Sequence, residues 1–512
     1  MPPNCKLDHG VADMSDHHRL CRRSSDSSSS RWNSRYRSSR PTSTNDHDEK
    51  GGPGHHRRRF KRSSCSSSVG RRSPDYRPGW AILSIAGARR KDFPSDRTTS
   101  ATALSSNGGE VSVSFDLVGP PGISVLAVDP RRGPGPVAST RPDVVATHRD
   151  VVLLDISAML SPFSRADALV DYFVYHANGD PSRRLPSLSL LPVHYHEEKS
   201  FTGKPSQVLL HKDDTGIMSC RSKEGDNSSF VVAKLTKTRA DVDSLPEIEV
   251  VTFLSGSGTW EVFKKVHVHG SNGGHGLRWW STDAVVADYQ RRFLIWVDYY
   301  RGMILMDMSS WESSPRLRYV PLPVETAPGD PYDYIYHGRG CPGHSRSVCA
   351  TRHGIKFVSI DSKHCSNWGV GHDKVLMWNH TFRITTWSLR EGDYTWRKDA
   401  RMYEEELWAV LGSGDRFPRV PPEKPVVNME NPDAVCFRLK KNAYRYEDPT
   451  WMIEVDMRKK VLVTATAHTK TTSSSYEEDA INSVRIGSHD LFFSTELPHY
   501  LDDGQACKKR RR

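Results

Sequence analysis

The histidines and cysteines are the first residues whose chemistry has to be weighed. Between Tyr336 and His372 stand Cys341, Cys349 and Cys365 together with His337, His344, His353, His364 and His372. A structural zinc site takes four nitrogen or sulfur ligands, usually in close pairs such as C-x2-C or H-x3-H. Here the cysteines are eight and sixteen positions apart, and Ser347 to Asp361 reads as a hairpin turning at His353-Gly354, which puts Cys349 on a strand. His194-Tyr195-His196 places two imidazoles on one face of a strand, but Lys199, Ser200 and Phe201 stand where a third, carboxylate ligand would have to follow. His267-Val268-His269 has no nearby carboxylate downstream. Both pairs are expected to be surface strand histidines, and neither a metal nor a cofactor is expected.

Phosphate-binding loops need glycines between a strand and the start of a helix. Ser255-Gly256-Ser257-Gly258 and Gly270-Ser271-Asn272-Gly273-Gly274 lead into no helical pattern, so both are expected to be connecting loops. No nucleophile elbow or Cys/His arrangement supports a catalytic assignment. What remains is recognition. Asp298-Tyr299-Tyr300-Arg301-Gly302 carries Tyr and Arg, the types that dominate binding hot spots; Tyr299, Tyr300 and Arg301 form the candidate interaction loop. The same residues also suit a tight turn, with Asp298 accepting backbone N–H bonds and Gly302 free to take a positive φ.

The elements that present these residues are mostly strands. Short apolar runs rich in Val, Ile, Phe, Tyr and Trp recur between Gly, Pro, Asp and Asn: Val111–Leu117, Ile123–Val128, Val151–Ile156, Phe230–Leu235, Ile248–Phe253, Phe293–Val297, Met303–Met306, Ile355–Ile360, Phe382–Trp387 and Lys460–Ala465. Helical signal is scarce. Ser164–Tyr175 is the best case, with Ser164 and Asp167 as a capping box and Leu169, Val170, Phe173 and Val174 as an apolar stripe. Arg401–Leu411 is the second.

Repeating units can be traced from Asp143, Gly216, Asp283, Ser347 and Asp433. The most complete runs from Asp283 to Pro323, as Ala284–Ala287, Phe293–Tyr299, Met303–Met308 and Leu317–Leu322. Four antiparallel strands in about 40 residues make one blade of a β-propeller. The expected fold is all-β, a propeller-like array of about six blades, one of them assembled from Trp80–Val128 and the late strand Leu491–Ser494. Trp279, Trp280, Trp296 and Trp311 are expected to pack between blades. Two packed β-sandwiches are the alternative.

Charge separates tails from fold. The formal net charge of +11 divides into +9 over residues 1–74, +5 over 508–512 and −3 between them. A broad phosphate-binding surface on the folded part is therefore not expected. Residues 1–77 form a Ser/Arg-rich tail too poor in apolar residues to offset its ordering entropy, residues 78–500 the propeller-like domain, and 501–512 a basic C-terminal tail. Arg22-Arg23-Ser24, Lys61-Arg62-Ser63 and Arg71-Arg72-Ser73 set hydroxyls beside basic residues, as kinase substrates do. No apolar run reaches the 18 residues of a membrane span, the N-terminus lacks a signal-peptide pattern, and nine scattered cysteines without a CxxC suit a reducing compartment.

The most complete unit also carries a resemblance. Trp280-Ser281-Thr282-Asp283, Trp296-Val297-Asp298-Tyr299-Tyr300-Arg301-Gly302 and Leu317-Arg318-Tyr319-Val320-Pro321-Leu322-Pro323 resemble the plant family called domain of unknown function 1618, expanded in grasses. Asp171–Tyr175, Pro186-Ser187-Leu188 and Leu191-Pro192 upstream agree with it, as do Gly354–Val358 and Thr386–Leu389 downstream, and the likeness is densest over 279–411. The family has no activity to carry over. Its members are similar to the propeller-like regions that follow F-boxes in plant ubiquitin-ligase receptors, although an F-box-like Leu-Pro pattern is missing here.

The expected function is a non-enzymatic scaffold that binds a protein partner through its face loops; a ligand-binding or enzymatic site at the central channel is the alternative. The location is expected to be nuclear or cytoplasmic. Lys508, Lys509, Arg510, Arg511 and Arg512 form a candidate nuclear-import signal for an import receptor, with Arg57–Arg62 as a second basic block. Replacing both blocks with alanine should move a fluorescent fusion from nucleus to cytoplasm. Unchanged nuclear accumulation of that double variant, or a wild type excluded from the nucleus, would reject the signal.

Overall fold

The computed structural model describes residues 78–90, 93, 98–129, 142–156, 170–180, 185–199, 205–220, 229–238, 244–271, 277–309, 311–312, 314–324, 341–362, 382–441, 450–468 and 491–501. Six small antiparallel sheets stand around one axis as a six-bladed β-propeller. Named from inside to outside, blade II is Asp143–His148, Val151–Asp155, Tyr172–Asp180 and Leu185–Leu190. Blade III is Thr215–Ser219, Phe230–Thr238, Glu247–Leu254 and Thr259–Phe263. Blade IV is Ala284–Ala287, Phe293–Asp298, Gly302–Asp307 and Leu317–Pro321, with Val268–His269 on its outer edge.

Blade V is Arg346–Thr351, Gly354–Ser362, Phe382–Leu389 and Trp396–Tyr403. Blade VI is Glu423–Val427, Ala434–Leu439, Thr450–Asp456 and Val461–His468. Blade I is the composite. Its innermost strand, Phe492–Thr495, comes from the far end of the chain and pairs antiparallel with Ala81–Ser84, matching Ala81 to Thr495 and Ser84 to Phe492. Ile123–Val128, Glu110–Asp116 and Ala101–Leu104 continue that sheet outwards. The inner strands touch in succession, and Phe492–Thr495 stands between those of blades VI and II, so the ring is closed.

Six buried apolar clusters fill the six gaps between neighbouring blades. Successive side chains of a strand point to opposite faces of its sheet. Val152, Leu154, Phe173 and Tyr175 of blade II thus pack towards blade I, while Val151, Leu153, Tyr172 and Val174 pack towards blade III. A sheet covered on both faces needs continuous apolar runs and not alternation, which is the pattern of these strands. The cluster between blades VI and I, built on Trp80, Ile82, Ile123, Val426, Met429, Cys436 and Met452, is the smallest of the six.

The strands expected from sequence all form, and blade IV matches its expected unit closely. Three details differ. Tyr172–Tyr175 is strand and not the end of a helix, because its four consecutive large side chains serve two interfaces; residues 157–169 lie outside the described residues. Arg401–Tyr403 still belongs to a strand, and the helix is Glu404–Leu411, entered through a reciprocal bond in which Tyr403 N–H donates to Glu406. Blade VI begins at Glu423 and not at Asp433. Its inner strand carries a bulge between Glu423 and Val426, a proline, and Lys424 at φ 52°, all of which hide it in the sequence.

Tryptophans tie blades as well as fill gaps. Trp260 and Trp396, on the outermost strands of blades III and V, donate their indole N–H to Pro192 O at 2.9 Å and Pro321 O at 2.8 Å, just where the preceding blade's outer strand ends. Trp296 donates to Asp214 O at 2.8 Å. Trp280, Trp296 and Trp311 are buried, whereas Trp279 is 40% exposed and does not pack between blades. Among the described residues no helix is long and apolar enough to cross a membrane.

Ending the chain at Lys470 removes Phe492–Thr495, leaving the edge of Ala81–Ser84 unpaired and the VI–I gap open. The truncated protein should aggregate on size-exclusion chromatography. A monomeric product with an unchanged thermal transition would contradict closure by this strand.

Candidate functional site

The connection Asp298–Gly302 joins the second and third strands of blade IV, on the face where the chain also passes between blades. This loop face lies opposite the hairpin face, where each inner strand turns into the second. Asp298 is fully buried and accepts from Ser281 N–H and Tyr300 N–H, each at 3.0 Å, with the Arg301 guanidinium 3.5 Å away. Tyr299 N–H donates to Asp283 at 2.8 Å, Arg346 donates to Tyr299 O at 2.7 Å, and Tyr319 Oη donates to Arg301 O at 3.1 Å. The Tyr299 ring is buried between blades IV and V, and that burial pushes its phenol well above the ordinary range.

Of the candidate loop, Tyr299 is therefore a packing anchor, while Tyr300, under the Arg346 guanidinium at 5.3 Å, and Arg301 are partly exposed. Gly302 is required by proximity. Its φ is not positive, but a Cβ there would lie 2.6 Å from Val320 O and 2.8 Å from the Tyr319 ring.

The central channel holds a cavity of about 110 Å³ that reaches from the loop face to the hairpin face. At its hairpin end, turns from several blades bring Arg149, Tyr289, Arg352, Glu496 and Tyr500 together. The Arg149 guanidinium lies 5.3 Å from the Tyr289 ring and 5.5 Å from the Tyr500 ring, and Arg352 sits 5.8 Å from Tyr289 on its way to Glu496, which it reaches at 3.1 Å. Burial raises the Tyr500 phenol to about 12. No sequence pattern marks these residues, because each is a singleton in a different turn.

Beside them His148 is buried. Its Nδ1 accepts from Ser219 N–H at 3.0 Å and its Nε2 lies 3.2 Å from Asp288 O, which fixes the neutral tautomer protonated at Nε2. Burial, reinforced by Arg149 and Arg291, holds its pKa down to about 3. Cys349 is buried between blades V and VI beside Ser347 at 3.3 Å, and burial raises its thiol.

The other sequence candidates fall apart from one another. His194 stacks on Trp260 at 5.2 Å, Glu197 pairs with Lys264 at 2.5 Å, and His267 meets His269 edge-on at 4.7 Å. Ser255–Gly258 is a hairpin turn between Leu254 and Thr259, with Gly258 at φ 69°. His337, His364, Cys365 and His372 lie outside the described residues, as do residues 1–77 and 502–512, Lys508–Arg512 among them. Among the described residues no group of three or more His, Cys, Asp or Glu is arranged to hold a metal ion.

The run Trp296–Gly302 opens a wider match. Residues 296–436 match the family model described as Protein of unknown function (DUF1618). The DUF1618 match extends from the second strand of blade IV into the second strand of blade VI. No curated protein matches the chain. Solved structures similar to it include a provisionally assigned 6-phosphogluconolactonase from Bacteroides uniformis, 8% identical, covering 77% of this chain and 84% of its own, with a TM-score of 0.29. A Bombyx mori GH32 beta-fructofuranosidase is 8% identical, covering 64% and 58%, with a TM-score of 0.26. A mutant Synechocystis apocarotenoid oxygenase is 10% identical, covering 78% of each chain, with a TM-score of 0.26.

The neutral His148 makes stability depend on pH. Its folded pKa, about 3, lies below the unfolded value near 6.5, so stability is complete above pH ~6.5 and declines as pH falls towards 3, by ~1.4 kcal/mol per unit at most. His148→Gln, whose amide can accept from Ser219 and donate to Asp288, should lose about 2 kcal/mol less than wild type between pH 6.5 and 5 in urea titrations. Parallel pH profiles would show that His148 is not held neutral.

Proposed function

We propose that the chain is a non-enzymatic interaction scaffold that binds a protein partner on its loop face. The observation that carries this reading is the exposure of Leu209 at 40%, Leu245 at 42% and Trp279 at 40% on connections around blade III, all on that face. The second strand of blade III braces the connections that carry Leu209 and Trp279. Lys234 Nζ donates to Leu209 O at 2.8 Å, and Lys237 Nζ donates to Trp280 O at 2.5 Å. Arg278 lies 5.6 Å from the Trp279 ring, and Trp and Arg are both among the residue types enriched at binding hot spots. Tyr300 and Arg301 extend the same face onto blade IV.

The channel groups support the non-enzymatic part. A general base needs a lone pair free at working pH, and both ring nitrogens of His148 are committed to backbone partners. A nucleophilic thiol needs a lowered pKa, and that of Cys349 is raised. The reading places the partner in the nucleus or the cytoplasm, with the basic tail Lys508–Arg512 offered to an import receptor.

Trp279→Ala combined with Leu209→Ser, compared with wild type by proximity labelling in the native tissue, should reduce enrichment of the specific partner at least thirtyfold, as removal of a hot-spot side chain does. The thermal transition should stay within about a degree, since both side chains are exposed. Unchanged enrichment would refute the loop face as the docking surface.

A further inference from the structure

We propose that the chain pairs with a second copy of itself through the outermost strand of blade VI, Val461–His468, the two strands running antiparallel about a two-fold axis. The outer strand of a blade has one edge that its own sheet does not use, and such an edge accepts another strand unless it is covered, charged or interrupted by proline. The other five blades show these protections. Ala101–Leu104 of blade I lies against Leu185–Leu190 of blade II, which itself carries Pro186. Thr259–Phe263 of blade III has Glu261 at its middle and is followed by Lys264 and Lys265. Leu317–Pro321 of blade IV is covered by Val268–His269. Trp396–Tyr403 of blade V carries Arg397, Lys398, Asp399 and Arg401.

Blade VI lacks them. Its outer strand reads Val-Leu-Val-Thr-Ala-Thr-Ala-His, rich in β-branched residues and without proline, acid, lysine or arginine. Burial lowers the pKa of His468, which keeps the strand neutral at pH 7. The inner edge pairs with Thr450–Asp456 from end to end, and among the described residues no strand meets the outer one. A bulge at Val463 interrupts the ladder near one end, but Thr464–His468 run on in unbroken register. Val461 and Val463, 47% and 52% exposed, add apolar side chains to that open strand.

The occupant is a second copy because the strand is complementary to itself. With the axis between Thr464 and Ala465, Val461 stands opposite His468, Leu462 opposite Ala467 and Val463 opposite Thr466, so no charge meets its like. The neighbouring basic residues Arg458, Lys459 and Lys460 all precede Val461. Antiparallel pairing sends the two basic sets to opposite ends of the seam, roughly 30 Å apart at ~3.4 Å per residue, whereas a parallel mate would bring them together. An isologous contact of this kind closes at two copies, and its place on the rim leaves both loop faces open. Two strands of this length bury less than the ~1,600 Å² of a standard interface, so the dimer is weak, with Kd on the order of 10–100 µM.

The test is sedimentation equilibrium of the full-length protein from about 1 to 300 µM, which brackets that Kd, with amide hydrogen exchange at both ends of the range. A monomer–dimer equilibrium is expected, and the amides of residues 461–468 should exchange more slowly at the high concentration. Val463→Lys and Val463→Glu should each weaken the dimer at least tenfold; loss with both signs of charge separates an edge effect from a net-charge effect. Leu104→Lys, the same kind of change on the outer strand of blade I, should leave the dimer as it is. A single-chain mass throughout the range would overturn the proposal. So would growth beyond two copies, a dimer that both Val463 variants leave intact, or concentration-dependent protection that spares 461–468. Should the Val463 variants fail to fold, the exchange map of the wild type decides.

Discussion

A sheet with two apolar faces cannot leave either face in water, and the ring is the arrangement in which each sheet becomes the cover of the next. That mutual cover accounts for the order of the structure from strand to toroid. Leu153 and Leu154 are neighbours in sequence and belong to different interblade cores. So do Ile304 and Leu305, and Val426 and Val427. No blade has an interior of its own, so the stability of one cannot be separated from that of its two neighbours, unlike a chain of independently folding domains.

Covering both faces constrains polar groups as well. Where strands turn near the axis, buried backbone donors need acceptors, and single side chains supply them. Asp298 serves two N–H groups of the blade IV connection, His148 joins the inner strand of blade III to a turn of blade IV, and Thr147 meets Thr495 at 3.0 Å across the closing seam. Lys356 and Asp399, bonded at 2.8 Å and almost fully enclosed, fix the second strand of blade V against its fourth. Such pairs add more to register than to net stability, because desolvation consumes most of their attraction.

Much of this was legible from the chain. The continuous apolar runs located the strands, and the spacing of the Asp283–Pro323 unit gave both the blade and the composite closure with Leu491–Ser494. Legibility failed where local pattern and tertiary role diverge. Tyr172–Tyr175 carries a helical stripe because four consecutive large side chains satisfy several periodicities at once. Glu423–Val427 is broken by a bulge and a proline, and its role as an inner strand follows only from its neighbours. The loop Tyr299–Arg301 was visible as Tyr and Arg in a turn, but the inward direction of Tyr299 depends on blade V, forty-nine residues on at Val348. Arg149, Tyr289, Arg352 and Tyr500 share no spacing at all. Only the toroid makes them neighbours.

The composite blade also orders events during synthesis. Ala81–Ser84 and Phe492–Thr495 pair across about 410 residues, so at elongation rates of ~5–20 residues per second the first strand waits roughly 20–80 seconds for its partner. Blades II to V can form in turn as they leave the ribosome, each covering the last, while the strand at Ala81 stays an open edge beside Trp80 and Ile82. For that interval the nascent chain is a nearly complete arc with one sticky end, and a chaperone able to hold an apolar strand edge would find its substrate there.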